Sequence, residues 1–359
     1  MKNVSAGIWS RLADVASLVA TPLVPSHYIA LLRPLAATHT RQARVEAVCD
    51  ETADTRTLTL RPGRGWRSHR PGQHVRITLA IDGRLATRTY SISSAPDRRD
   101  GCFTITVKAQ GRVSTALVRD VRIGSYLSIG SAEGDFVLPD EAPPQLAFIT
   151  GGSGITPAMS MLRALAARGE LTDVVHIHYA RHDRDVIFGE ELRTLAVDHP
   201  GYRLRLVLHD RDPRPFCTER LDEQCADWRE RETWACGPRG LLDSIITSFT
   251  DAGCADALHT ERFTAALAPV PANENGGCVK FAKARTERRS DGRTPLLRVA
   301  EDAGVSAPHG CRMGICHTCD TTLLSGCVRD LRTGETINEP GVRIQVCVCA
   351  AAGDVELAL

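Results

Sequence analysis

Polar and apolar positions alternate with a period of two in six short runs: Arg44–Cys49, Thr55–Arg61, His74–Ile81, Thr87–Ser91, Cys102–Lys108 and Tyr126–Ile129. That period puts successive side chains on opposite faces of a strand. Pro-Gly and Asp-Gly steps between the runs supply turns. Residues 41–139 are therefore expected to form an antiparallel barrel or sandwich. From 140 to 263 the pattern changes, and apolar runs alternate with helical stretches. Strands are expected at Gln145–Thr150, Val174–Ala180, Arg203–His209 and Thr233–Ala235. Helices are expected up to about Arg168, over Gly189–Val197 and from Pro238. Alternation of this kind gives an α/β unit with a parallel sheet. Residues 264–277 (TAALAPVPANENGG) have no periodicity and read as a linker. From 278 to 359 a β-hairpin, a helix over Pro295–Ala303 and a cysteine-bearing loop predict a third, α+β unit. In residues 1–40, Ile8, Leu12, Val15 and Val19 recur at helical spacing, as in a short amphipathic arm docked on the next domain.

Length and charge narrow the picture. A chain of 359 residues holds two or three domains, each with its own core. Its 44 basic and 43 acidic side chains nearly cancel, which argues against nucleic acid or an anionic membrane as a bulk partner. Thirteen cysteines, an odd number scattered except at one place, fit a reducing cytoplasm better than a disulfide framework. No run of 18 apolar residues and no clear signal-peptide cleavage site are present. A monomer is the default expectation.

The one cysteine concentration is Cys311, Cys316 and Cys319, at C-x4-C-x2-C spacing. A loop with that spacing can wrap one side of a 2Fe–2S cluster, with a distant fourth thiolate closing the cage. Gly310 and Gly314 let the loop curl where a β-carbon would crowd it. Cys347 and Cys349 compete for the fourth place. Standing two apart in a β-rich run, they face the same side, so alternation does not separate them. Zinc is the competing reading, but zinc pairs more often read C-x2-C twice, and one such pair exists here.

Two other stretches carry chemistry. Arg88-Thr89-Tyr90-Ser91 places a phosphate-pairing arginine and an aromatic ring two apart on one strand face. Gly111-Arg112-Val113-Ser114-Thr115 opens a helix whose first amides can receive a phosphate. In the α/β unit, Gly151-Gly152-Ser153-Gly154-Ile155-Thr156-Pro157 joins a strand to a helix as dinucleotide-binding turns do, without being G-x-G-x-x-G. Cys236-Gly237-Pro238 stands between a later strand and helix, where ligands bind in such sheets.

Taken in order, R-x-Y-S, G-x-V-S-T, G-G-x-G-I-T-P and C-G-P resemble the ferredoxin–NADP reductase superfamily. The C-terminal segment resembles plant-type 2Fe–2S ferredoxins, so that the chain over residues 41–359 is similar to the three-module oxygenase and desaturase reductases. In those ferredoxins the last ligand stands seven residues before an Asp-Val pair, and Asp354-Val355 then selects Cys347. The resemblance implies a flavin-binding β-barrel (41–139), an NAD(P)-binding α/β domain (140–263) and a β-grasp ferredoxin domain (278–359). It implies a cluster on Cys311, Cys316, Cys319 and Cys347, and an activity that passes electrons from NAD(P)H through flavin and cluster to an acceptor protein. That acceptor would be an oxygenase or desaturase, soluble or membrane-bound.

By the same resemblance Tyr90 covers a flavin face and Ser91 bonds near its reactive nitrogen. Arg88, Ser114 and Thr115 hold the flavin phosphates, with Val107, Lys108 and Gly111 on the same segment. FAD is favoured over FMN because Val107–Thr115 resembles the segment that holds the pyrophosphate and adenosine half. Gly151, Gly152, Gly154 and Thr156 receive the nicotinamide cofactor's pyrophosphate. Cys236, Gly237 and Pro238 stand beside the nicotinamide, and Glu261 and Phe263 approach the other flavin face. Two departures stand out: Arg112 replaces a glycine, and the loop 130–136 lacks a proline near Ala132. For the choice between NADH and NADPH, Arg181, Arg184 and Arg211 are expected to converge on a 2′-phosphate, with Asp183 and Asp185 as their ion-pair partners. NADPH is the expected cofactor. A plain NAD(P)H oxidase or quinone reductase and a non-catalytic sensor are the competing functions.

Overall fold

The computed structural model describes residues 35, 41–81, 83–96, 98–263, 276–310, 312–314 and 317–359. The expected N-terminal helix lies outside these residues. So do most of the linker and two of the expected cluster ligands, Cys311 and Cys316.

Six strands make the first unit: β1 (Gln42–Thr52), β2 (Thr55–Pro62), β3 (His74–Ile81), β4 (Arg84–Ser91), β5 (Phe103–Lys108) and β6 (Tyr126–Glu133). All pairs are antiparallel, in the order β4-β3-β6-β1-β2-β5. A bridge between Ile92 and Ile105 joins the end of β4 to β5, which brings the two edges together as a barrel. The period of two decides what goes inside: Val75 and Ile77 of β3 and Leu58 and Leu60 of β2 fill the core with Phe103 and Ile105. Helix α1 (Arg112–Arg119) caps it with Val113, Leu117 and Val118.

The second unit is a parallel sheet of β7 (Leu146–Gly151), β8 (Val174–Ala180), β9 (Tyr202–Leu208), β10 (Glu232–Cys236) and β11 (Leu258–Glu261). The order is β11-β10-β7-β8-β9. The central strand β7 is buried throughout, as a parallel strand covered on both faces must be. Helices α2 (Ile155–Arg168) and α3 (Gly189–Asp198) contribute to one apolar cluster. Helices α4 (Thr218–Gln224) and α5 (Arg239–Asp251) contribute to the other. The chain proceeds from β7 to β8 and β9 on one side, then crosses to β10 and β11 on the other. The switch point therefore lies between β7 and β10, where α/β sheets place their ligands.

The third unit holds β12 (Cys278–Phe281), β13 (Thr286–Arg289), α6 (Leu296–Asp302), β14 (Asp320–Asp330), β15 (Thr336–Ile337), β16 (Arg343–Gln345) and β17 (Cys349–Leu357). Its order is β13-β12-β17-β14-β15, with β16 on β14. Only β12 and β17 run parallel. Leu296, Leu297, Val299 and Ala300 of α6 pack on the sheet with Val279, Phe281 and Val355. The expected three-part fold of barrel, parallel sheet and β-grasp unit is what the chain forms. Among the described residues no helix is long and apolar enough to cross a membrane.

Candidate functional site

Two adjoining cavities lie where the units meet. The first, about 320 Å³, has walls from all three: His74, Arg88, Thr89, Tyr90 and Ser91 from the barrel, Ser153, Thr156 and Glu261 from the α/β unit, and Met313 from the cysteine loop. The second, about 930 Å³, opens over the switch point and is lined by Gly151, Gly152, Ser153, Gly154, Gly237 and Pro238. Lys108, Gln110, Ser153 and Phe263 border both.

Strand β4 carries Arg88 and Tyr90 on one face and Thr89 and Ser91 on the other, and at this strand end all four reach the first cavity. Arg88 donates to the Thr87 carbonyl at 2.7 Å. Burial, then repulsion from Arg312, lowers its pKa, and Glu301 partly offsets this. Burial pushes the Tyr90 phenol well above its ordinary range. Ser91 pairs in register with His74, and both line the wall. Thr89 Oγ1 is buried with no hydrogen-bond partner among the described residues, which suits a wall awaiting a polar ligand.

At the barrel rim Lys108 reaches the cavity while its ammonium pairs with Asp54 at 2.9 Å. Its neighbour Val107 points the other way into the core. Gly111 caps α1 and Ser114 lines the cavity, but the Ser114 hydroxyl is engaged locally. It accepts from the Gln110 and Gly111 amides at 3.0 and 2.9 Å and donates to the Gly111 carbonyl at 3.0 Å. Thr115 is not on either wall. What α1 offers at this end is thus its amides and the Arg88 and Lys108 cations nearby.

The turn after β7 is built by close approach. A β-carbon on Gly154 would stand 2.2 Å from the Cys236 carbonyl oxygen, and one on Gly237 3.1 Å from the Gly151 nitrogen. Thr156 donates to the Ser153 carbonyl at 2.9 Å and faces the first cavity rather than the second. Cys236 is fully buried behind the wall, paired in register with Thr150 and Glu261. Burial and then the Glu261 carboxylate hold its thiol well above the usual range, so it is protonated at neutral pH. Glu261 Oε1 stands 3.5 Å from His74 Nδ1, and its Oε2 is buried without a partner among the described residues.

Of the arginines expected on a 2′-phosphate, Arg181 lines the second cavity, 3.7 Å from Asp185. Arg184 and Arg211 do not line it, and Asp183 is engaged by Arg193 at 2.6 Å. Both arginines are exposed, Arg184 in the turn Asp183–Asp185 and Arg211 on a separate cavity beside Asp183 and Arg193, and Arg214 lines the second cavity instead, tied to Asp212 at 2.9 Å. The loop carrying Arg214 has no periodicity, so nothing in the sequence marked it. His74, Gln110, Ser153 and Met313 were likewise missed. Their only sequence signal is position: His74 opens an expected strand, Gln110 adjoins a motif, and Ser153 and Met313 fill unspecified places within one.

In the third unit Cys319 and Cys347 are buried and touch: hydrogen bonding to Cys347 comes first among the causes that lower the Cys319 thiol to about 7. Cys349 is pushed up to about 12 by burial and by Asp330, its register partner. Gly314 has φ +73°, and a β-carbon there would meet Arg332 Nη1 at 2.6 Å and Val348 Cγ2 at 2.9 Å. Two adjoining buried sulfurs under a tightly curled glycine loop suit a thiolate-bound cluster, and the walls of the first cavity suit a flavin.

Residues 42–138 match the oxidoreductase FAD-binding domain family, 148–246 the oxidoreductase NAD-binding domain family, and 281–352 the 2Fe-2S iron-sulfur cluster binding domain family. The chain is 46% identical over 355 residues to an NADPH oxidoreductase of Mycobacterium tuberculosis (strain ATCC 25618 / H37Rv), covering 97% of this chain and 92% of that one. It is 31% identical over 313 residues to a glycine betaine monooxygenase reductase subunit of Chromohalobacter salexigens, covering 79% and 85%. The solved structure of phthalate dioxygenase reductase matches with a TM-score of 0.65 at 24% identity, over 89% of this chain and 97% of that one.

Proposed function

The chain belongs to the NAD(P)H-dependent oxidoreductases that join FAD-binding, NAD-binding and 2Fe–2S domains, and from that premise we propose that it takes electrons from NADPH for delivery to an oxygenase-type acceptor protein. One observation carries the reading: barrel, nucleotide unit and cysteine loop all wall a single cavity, beside a larger one at the sheet's switch point. The bound groups supply conversion of a hydride's electron pair into single electrons, which a 2Fe–2S centre can accept.

The side chains divide that work. Arg88, Lys108 and the first amides of α1 neutralise and position the flavin's phosphates. Tyr90 presents a ring face to the flavin, and Ser91 and Thr89 offer hydroxyls. The Gly151–Gly154 turn brings bare backbone to the dinucleotide's pyrophosphate at the switch point. Gly237 and Pro238 shape the opposite wall, with the Cys236 thiol behind them as packing. Cys319 and Cys347, with Cys311 and Cys316 from the same loop, hold the cluster.

NADPH over NADH is supported by Arg181 and Arg214 on the second cavity and by the M. tuberculosis relative, which is an NADPH oxidoreductase. The acceptor class is supported by the C. salexigens relative's name, that of a monooxygenase reductase subunit. The purified protein should show superposed flavin and 2Fe–2S absorption and reduce ferricyanide faster with NADPH. An arginine–phosphate bond contributes about 1.5–3 kcal/mol. Arg181→Ala or Arg214→Ala should therefore raise KM for NADPH roughly tenfold and leave that for NADH nearly unchanged. Wild-type preference for NADH would overturn the cofactor assignment.

A further inference from the structure

We propose that Met313 is the flavin contact of the cluster loop, the side chain on which the bound FAD ring seats against the ferredoxin domain. The inference rests on the reading above and adds a role to a residue that no motif marks. Met313 stands two residues after Cys311 and three before Cys316, inside the expected ligand loop. Yet it lines the same cavity as Arg88, Tyr90, Ser91 and Glu261.

The loop is braced to hold it there. On one side Arg312 has φ +61°, a left-handed conformation that costs a non-glycine residue. Its guanidinium is clamped by both oxygens of Glu301 on α6, Nη1 to Oε2 at 3.1 Å. On the other side Gly314 also has φ above zero, and its carbonyl accepts from Arg332 Nη1 at 2.8 Å, with Arg332 itself held by Asp330 at 2.6 Å. Two departures into the left-handed region, one on each side of Met313 and each locked by an arginine, fix the direction of the methionine between them. That direction is toward the barrel: Met313 shares its cavity wall with Arg88, Thr89 and Tyr90, while Arg312 beside it lines a neighbouring cavity together with Arg88. A thioether suits the place. It is apolar, has three rotatable bonds and makes favourable contacts with aromatic edges.

The chain offers a direct chemical probe. Met159 and Met161 are fully buried in the nucleotide unit, whereas Met313 is half-exposed. Of the three internal methionines, hydrogen peroxide, which adds one oxygen to accessible methionine sulfur, should therefore modify Met313 and spare Met159 and Met161. The full-length protein is treated with and without bound FAD, its flavin content is read from the visible spectrum, and each methionine is followed by peptide mass spectrometry. We expect bound FAD to slow Met313 oxidation at least fivefold. Equal rates in a preparation whose spectrum shows FAD bound would overturn the contact and leave the proposed function standing. A wild-type protein that takes up no FAD would overturn both.

A second arm uses Met313→Ala and Met313→Leu, with iron and acid-labile sulfide measured to show the cluster intact. Stopped-flow absorption separates flavin reduction by NADPH from cluster reduction. The ratio of the second rate to the first should fall about tenfold in Met313→Ala and recover largely in Met313→Leu, which conserves volume. An unchanged ratio in Met313→Ala would count against the proposal.

Discussion

Among single residues, the choice of the fourth cluster ligand turns on one contact. Cys319 and Cys347 lie 28 positions apart, and the structure puts their sulfurs in contact. Cys349 faces Asp330 instead, with its thiol held protonated. Cys347→Ser should accordingly lose the cluster or strongly alter it, while Cys349→Ser should keep it. Iron and acid-labile sulfide content decides this, and a normal cluster in the Cys347 variant would sink the assignment. Neighbouring residues were harder to tell apart. Val107 and Lys108 belong to one motif, yet a period of two sends one into the core and the other to the cavity. Ser114 and Thr115 are separated in the same way by about 100° of helix rotation. Met313 and Ser153 gain their place from packing between units, which leaves no trace in local spacing.

At the scale of elements, the alternation that revealed each strand was blind to its ends. Strand β4 starts at Arg84, three residues before the apolar pattern, because hairpin pairing with β3 extends it to Ile81↔Arg84. Strand β6 continues past Ile129 to Glu133 for the same reason, held by His74 and Val75 of β3. The β7–α2 turn was legible through its glycines, but the reason for each differs. Gly154 is required by contact, so Gly154→Ala should destabilise the nucleotide unit by about 3 kcal/mol. Gly152 has φ +53° and open space, so Gly152→Ala should cost only about 1 kcal/mol. Thermal unfolding of the two variants would order them, and equal losses would contradict the contact argument. Strand β8 adds a pH dependence. His178 and His176 share the Thr150 hydroxyl at 2.8 Å each and are fully buried. Burial lowers His178 to about 4 and His176 well below its usual value. Between the unfolded value near 6.5 and the folded one, the unfolded chain binds protons that the native chain refuses. Stability is therefore full above about pH 6.5 and falls as pH drops toward 4, by roughly 3 kcal/mol from His178 alone. Denaturant midpoints followed by the fluorescence of the buried Trp228 and Trp234 should shift down between pH 7.5 and 5. A pH-independent midpoint would remove this account.

For the molecule as a whole, the order of three sheets was legible because each has its own periodicity and the breaks between them are poor in pattern. Their mutual placement was not, since it depends on contacts such as Met313 at the flavin cavity and the Arg312–Glu301 pair close to Arg88. Those contacts imply a division of labour that truncation can expose. Among the described residues, the barrel and the nucleotide unit have separate cores, neither of which draws on residues after 263. The ferredoxin unit has its own core, which includes Val279 and Phe281 of β12, paired in register with Val355 and Leu357 of β17. Removing the chain from Thr264 onward should then leave a folded flavoprotein that still reduces ferricyanide from NADPH. The shortened protein loses Met313 from the cavity wall, so its flavin should bind more weakly. Without the cluster it should fail to pass single electrons to cytochrome c or to a reconstituted oxygenase acceptor. Flavin absorbance and the two reductase assays, run on the full and shortened chains, test this together. Loss of ferricyanide reduction would mean that the third unit is needed to build the flavin site. Retained transfer to the oxygenase would mean that electrons leave the molecule before they reach the cluster.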